Sequence, residues 1–318
     1  MNKFNALTRW STGLLAVAIV WTGTVQADHW ADIDETDIEL FLPGQASWEW
    51  LLIPTDHGTS GARRMRESRP CLSCHQDEQA AIGNVVASGQ RLEPEPLPGM
   101  PGTVTLSVRA RVASDQLYLH LSWPVIETDK PAGVADHAAQ VTVLVADDAV
   151  SAARSATCWA SCHSDLPGMS ADAGKNLTKY LANSRTGMTR TGGSDNFRSS
   201  QELASEVEQG AFLEFWSAAL SADGDVSLFD GYILDQRHTN DDSVVVGTAR
   251  REGDRWVVEL QRPLAPGSGV RKSLQVGQDY PLSFAIHANH TEGRRHYVSF
   301  PLQLGIRLDG VTISEVLE

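Results

Sequence analysis

Apolar and polar positions alternate through much of the chain. In "TVTLSVRARV" the residues Val104, Leu106, Val108, Ala110 and Val112 fall on one face. The stretch "ASDQ" carries turn residues, and "LYLHLSW" returns with Leu117, Leu119, Leu121 and Trp123 on one face. A period of two on both sides of a turn predicts a β-hairpin. On this phase His120 shares the opposite face with Tyr118, which fits a structural role. "QVTVLVAD" predicts another strand. "SVVVGTARREGDRWVVELQRPL" reads as a hairpin turning at Glu252-Gly253-Asp254, and "YPLSFAIHANH" with "HYVSFPLQLGI" as a third. Successive hairpins predict a mainly β protein, an antiparallel β-sandwich or barrel.

Two stretches depart from this period. Residues 200–221, "SQELASEVEQGAFLEFWSAALS", have Leu203, Val207, Phe212 and Trp216 near one helical face and predict a helix. Residues 152–190 include the helix-like "GKNLTKYLANS" and read as an insertion. Residues 28–98 show no long periodic element. The Pro-rich "LEPEPLPGMPG" separates them from the first hairpin. The expected organisation is a leader over 1–27, an irregular and helical segment over 28–98, and a β-sandwich domain over 99–318 with helical insertions.

The leader reading rests on Lys3 and Arg9, an apolar run from about Leu14 to Trp21, and Val25-Gln26-Ala27 as a small-x-small cleavage pattern. The run is short for a membrane span and suits a secretory signal cleaved after Ala27. The sequence offers no later transmembrane segment, and a periplasmic location is expected. Losing Lys3 and Arg9 lowers the basic count from 26 to 24 against 40 acids, a net charge of −16. Such a surface disfavours nucleic acid and anionic membranes. It suits solubility or a basic docking partner.

All four cysteines lie in two pairs, and each pair ends in histidine: Cys71-Leu-Ser-Cys74-His75 and Cys158-Trp-Ala-Ser-Cys162-His163. An exported chain with four cysteines suggests two disulfides, but disulfides need no histidine. A zinc site of four thiolates leaves both histidines idle. A thioredoxin-like pair expects a βαβ context that the chain lacks. Positions i, i+3 and i+4 share a helical face. Two thiols so placed form thioethers to one haem, with the adjacent imidazole reaching iron. The wider pair keeps its cysteines at i and i+4, still on one face. Two haem c groups are expected, with His75 and His163 as proximal ligands.

A second axial ligand decides whether such an iron carries electrons or binds small molecules. His57, on a Gly/Ser-bounded loop eighteen residues before His75, is the favoured distal ligand for the first haem, with Met100 its rival. For the second haem, "FAIHANHTEGRRHYVSF" offers His287, His290 and His296 around a turn. Arg294 and Arg295 are placed there to pair with haem propionates. His137 is a further candidate.

The series "DQLYLHLSWP", "DHAAQVTVLVADD", "DRWVVELQRPL" and "YPLSFAIHANHTEGRRHYVSFPLQLG" resembles the haem-binding γ-subunits of ethylbenzene dehydrogenase and dimethyl-sulfide dehydrogenase, over roughly residues 100–318. The resemblance implies a β-sandwich that holds one haem and exchanges electrons with a molybdenum enzyme. In those subunits the haem is non-covalent, with Met and Lys ligands. Here "CWASCH" stands where the Met would fall and His296 stands near the position of the Lys. The resemblance therefore implies His163 and His296 as the second axial pair, with His290 next. The expected function is electron transfer between periplasmic redox proteins, such as a molybdenum oxidoreductase or a membrane-bound cytochrome, rather than enzymatic catalysis. The alternatives are a haem enzyme with one open site reducing peroxide or a nitrogen oxide, and a haem-based sensor.

Overall fold

The computed structural model describes residues 29–43, 58–90, 99–126, 137–150, 153–158, 181–186, 197–221, 224–288 and 296–316. Residues 1–32 and 33–318 form separate compact units, and every element named below belongs to the second. The leader expected over 1–27 lies outside the described residues.

The chain enters with β1 (Thr36–Phe41), then three short helices: α1 (Thr59–Arg66), α2 (Leu72–His75) and α3 (Gln79–Ala87). Strands β2 (Thr103–Ala113), β3 (Gln116–Pro124) and β4 (Ala139–Val145) follow. Helices α4 (Ala153–Ala156) and α5 (Ser200–Glu208) precede β5 (Leu213–Leu220), β6 (Val226–Ile233) and β7 (Arg237–Thr239). The chain closes with β8 (Val246–Glu252), β9 (Arg255–Pro263), β10 (Asp279–Ala288), β11 (Tyr297–Val298), β12 (Leu302–Arg307) and β13 (Gly310–Glu315).

The strands form one antiparallel sheet in the order β7-β6-β5-β4-β10-β11-β1-β2-β3-β9-β8. Strand β12 continues beside β10 and carries β13 on its far side. The main hydrophobic cluster joins Leu106, Leu119 and Val258 from one arm of the sheet to Val143, Trp216 and Leu282 from the other. The sheet is therefore curled around a shared core.

The expected hairpins form. Strands β2 and β3 pair Val108 with Leu121 and Ala110 with Leu119. Their two-residue turn holds Ser114 and Asp115 at φ 49° and 59°, the left-handed pair that matches strand twist. Strands β8 and β9 meet at Glu252 and Arg255, with Gly253 at φ 62°. The third expected hairpin is split. Strand β10 pairs first with β12, from Asp279 to Leu282, and then with β11 at Ala285 and Ile286.

The helix expected over 200–221 is half a strand. Helix α5 starts on a capping box between Ser199 and Glu202 and ends at Gly210, which is left-handed at φ 79°. Strand β5 then runs between β4 and β6, buried at every residue. Trp216, Ala218 and Leu220 enter the main core, while Leu213 and Phe215 enter a second cluster on the other face. A strand buried on both faces has no polar alternation to mark it. Most of "GKNLTKYLANS" lies outside the described residues, and its end, Ala182–Ser184, is a short 3-10 turn.

The sequence places residues 28–98 before the β scaffold. The structure inserts their strand β1 between β11 and β2, with Leu40 opposite Val104. Helix α3 lies on the same strands, and Val86 and Ala87 join the main core beside Leu42. Gly83 makes this approach possible, because a Cβ there would collide with the Gly102 carbonyl. Among the described residues no helix is long and apolar enough to cross a membrane.

Candidate haem site

Helix α2 is a single turn holding the first motif. The amides of Cys74 and His75 donate to the Cys71 carbonyl at 3.1 and 3.0 Å. Both thiols and the imidazole therefore lie along one turn, as the spacing predicts. Cys71 and Cys74 are free thiols in different settings. Cys71 is buried, and burial pushes its thiol up to about 12. Cys74 is exposed, and Arg64 Nη1 lies 3.1 Å from its sulfur.

His75 Nδ1 lies 2.8 Å from Glu78 Oε2, three residues onward, across the turn made by Gln76 and left-handed Asp77. A carboxylate that holds one ring nitrogen fixes the orientation of a ligating histidine and leaves the other nitrogen for a metal. Nε2 is then the atom with which His75 would ligate iron. The ring also stacks on Phe300, with centroids 6.3 Å apart and planes at 16°.

Beneath α2 lies a compact apolar cluster. Phe41 of β1, Ala285 of β10 and Val298 of β11 are consecutive register partners across three neighbouring strands. Phe300, Met65, Cys71, Leu72 and Ala156 complete the cluster, with Cys158 packed against it. Phe41 and Phe300 are 4.6 Å apart. The second motif thus begins on the cluster that buries the first. Cys71 makes the connection directly: its amide and thiol reach the Ser155 carbonyl at 3.3 and 3.1 Å.

The same sheet face carries a pair of histidines. Ile286 pairs with Tyr297, so the next positions, His287 and His296, lie opposite each other. Their rings stack at 4.5 Å with planes at 16°, and His296 is buried. Side chains alternate along a strand, so His296, Val298 and Phe300 share a face while Tyr297 enters the main core. Two steps of that alternation separate His296 from Phe300, which sits under His75, by roughly 13 Å.

Several expected site residues fall outside the described residues: His57, Cys162, His163, His290, Arg294 and Arg295. Among the other candidates, Met100 is absorbed by the main core beside Val86 and Leu42. His120 faces Arg109 and Glu259 across the sheet, and burial lowers its affinity for a proton. His238 stacks on Tyr232 at 4.4 Å and pairs with Asp235 at 2.9 Å. Sequence reasoning missed Glu78, Phe300 and Ser155. Glu78 is near His75 in sequence, but the helical i+3 rule does not give the contact, because Gln76 and Asp77 leave the helix between them. Phe300 and Ser155 carry no local signal.

The donor set suits haem c. Two thiols and an imidazole share one turn, a carboxylate orients the imidazole, and an aromatic apolar floor lies beneath. Fold and site together define a β-scaffold protein of the c-type cytochrome class. The comparisons agree. The chain is 30% identical over 287 residues to cytochrome c-552 of Stutzerimonas stutzeri, covering 88% of each chain. It is 30% identical over 283 residues to cytochrome c-551 of Rhodocyclus tenuis, covering 88% of this chain and 95% of that one. The chain belongs to the family of these c-type cytochromes. No protein-family model matches it.

Proposed function

We propose that the protein is an exported dihaem c-type cytochrome that transfers electrons between periplasmic redox partners. Cys71, Cys74 and His75 hold one haem, and Cys158, Cys162 and His163 hold the other. The observation that carries this reading is the packing of buried Cys71 and half-buried Cys158 against one aromatic cluster. When bound, haem supplies a one-electron iron couple, and the chain sets its axial ligands and its dielectric surroundings.

His296 is the distal ligand of the second haem in this reading, supported by its burial and its stacking on His287. His290 is the alternative. His57 serves the first haem, and Arg294 and Arg295 pair with propionates. The likeness of β pattern to the γ-subunits of molybdenum dehydrogenases supports a molybdenum oxidoreductase or a membrane-bound cytochrome as partner. The acidic chain favours a basic docking surface on that partner.

The test is a pyridine haemochrome count with low-temperature EPR and near-infrared MCD on the purified holoprotein. Two haems, both low-spin with two histidine ligands, are expected. A count of one overturns the reading of the wider motif. A high-spin iron that binds cyanide or peroxide turns the function to catalysis or sensing.

A further inference from the structure

We propose that the two haems are attached inside one shared apolar compartment and form an electronically coupled pair rather than two independent centres. This rests on the dihaem reading above and concerns the relation between its sites.

The buried Cys71–Ser155 contact sets the distance between the attachment points. Ser155 accepts from both the amide and the thiol of Cys71. Thioether formation at Cys71 removes the thiol hydrogen, while the amide bond remains. Residues 153–158 are helical turns, so Ser155 and Cys158 are about one turn apart. Adding the hydrogen bond to that turn puts the Cα atoms of Cys71 and Cys158 on the order of 10 Å apart. Two haems bonded at that separation, on one apolar patch, are neighbours.

Two features hold this spacing. The floor is sheet, not loop: Phe41, Val298 and Ala285 are in register across β1, β11 and β10. The approach to Cys158 is also constrained. Thr157 is fully buried, its hydroxyl donates to the Ala153 carbonyl at 2.6 Å, and its backbone is left-handed at φ 33°. A β-branched residue in that conformation is strained, and strain persists where the surroundings impose it. Here it turns the chain at the residue before Cys158. Cys158 also borders the second cluster, beside Leu144, Leu181 and Phe212. A haem directed there would lie apart from the first.

The experiment is circular dichroism across the Soret band of the holoprotein, after a haem count. With two haems counted, a two-signed Soret couplet is expected in the oxidised protein. It should collapse to a single-signed band in the Cys71→Ala/Cys74→Ala variant, which lacks the first haem. The wild-type measurement stands alone if that variant does not fold. Two haems with a single-signed wild-type band, and electron-spin relaxation of each ferric iron unchanged when the other is reduced, overturns the shared compartment. A count of one haem overturns the dihaem reading instead.

Discussion

The Ser155 carbonyl accepts the amide and the thiol of Cys71 across 84 positions of sequence, at 3.3 and 3.1 Å. This contact joins the first motif to the helical turn that leads into the second. Consequences for the histidines, the carboxylate beside His75 and the scaffold can each be measured.

His296→Ala should convert one of two low-spin EPR signals to high-spin, because it removes the distal ligand proposed for the second haem. His287→Ala should leave both signals low-spin, since its ring stacks on His296 and supports it from the side. If only His290→Ala produces the high-spin species, the distal ligand is His290. Low-temperature EPR of the three variants decides.

Glu78→Gln should raise the midpoint potential of the first haem. The carboxylate at 2.8 Å makes the His75 imidazole a stronger donor, which favours ferric iron. The pair is half-exposed, so its effect is about 1 kcal/mol or less. At 59 mV per 1.4 kcal/mol for one electron, that is a rise of roughly 40 mV at most. Redox titration should show the larger shift at the first haem, with a smaller one passed to its neighbour.

Glu214→Leu should destabilise the fold by about 3–5 kcal/mol. Glu214 is fully buried and accepts from Arg262 Nε at 3.0 Å, Arg262 Nη2 at 2.8 Å, Trp216 Nε1 at 2.5 Å and the Lys272 amide. The substitution leaves the Arg262 guanidinium buried without its counter-charge. Adding Arg262→Met should recover part of the loss, because no lone charge then remains. Urea unfolding of the single and double variants measures both.

His120→Gln should flatten the acid side of the stability profile. Burial, opposed by the nearby Glu259 carboxylate, holds His120 below its ordinary value of 6.5. The unfolded chain therefore binds the proton more readily than the folded one. Stability contributed by the neutral ring is complete above 6.5 and falls as pH drops from there through the folded value. Thermal melts at stepped pH should show a shallower decline in the variant.

The β2–β3 hairpin was legible because it has a wetter face and a dry one. Val108 and Leu121 alternate with polar neighbours, and Ser114-Asp115 is turn chemistry. Strand β5 was not legible, since it is covered on both sides and its apolar run suits either a helix or a strand. Strand β1 was hidden by its length of six residues and by its partners, which lie more than sixty positions away in β2 and far beyond in β11. The first motif formed the helical turn its spacing implied. The Glu78 contact does not follow from that spacing, because a turn at Gln76 and Asp77 carries Glu78 back to the ring.

The sequence by itself determined the local turn of the first motif: thiols at i and i+3 with a histidine next lie on one turn, and local turns depend on neighbours along the chain. Only the tertiary structure decided what the motifs share. Phe41, Ala285 and Val298 come from three distant strands, and Ser155 reaches Cys71 through a backbone carbonyl that every residue carries. Register between strands and contacts to generic backbone atoms are set by the packing of the whole sheet. No short stretch of residues records them.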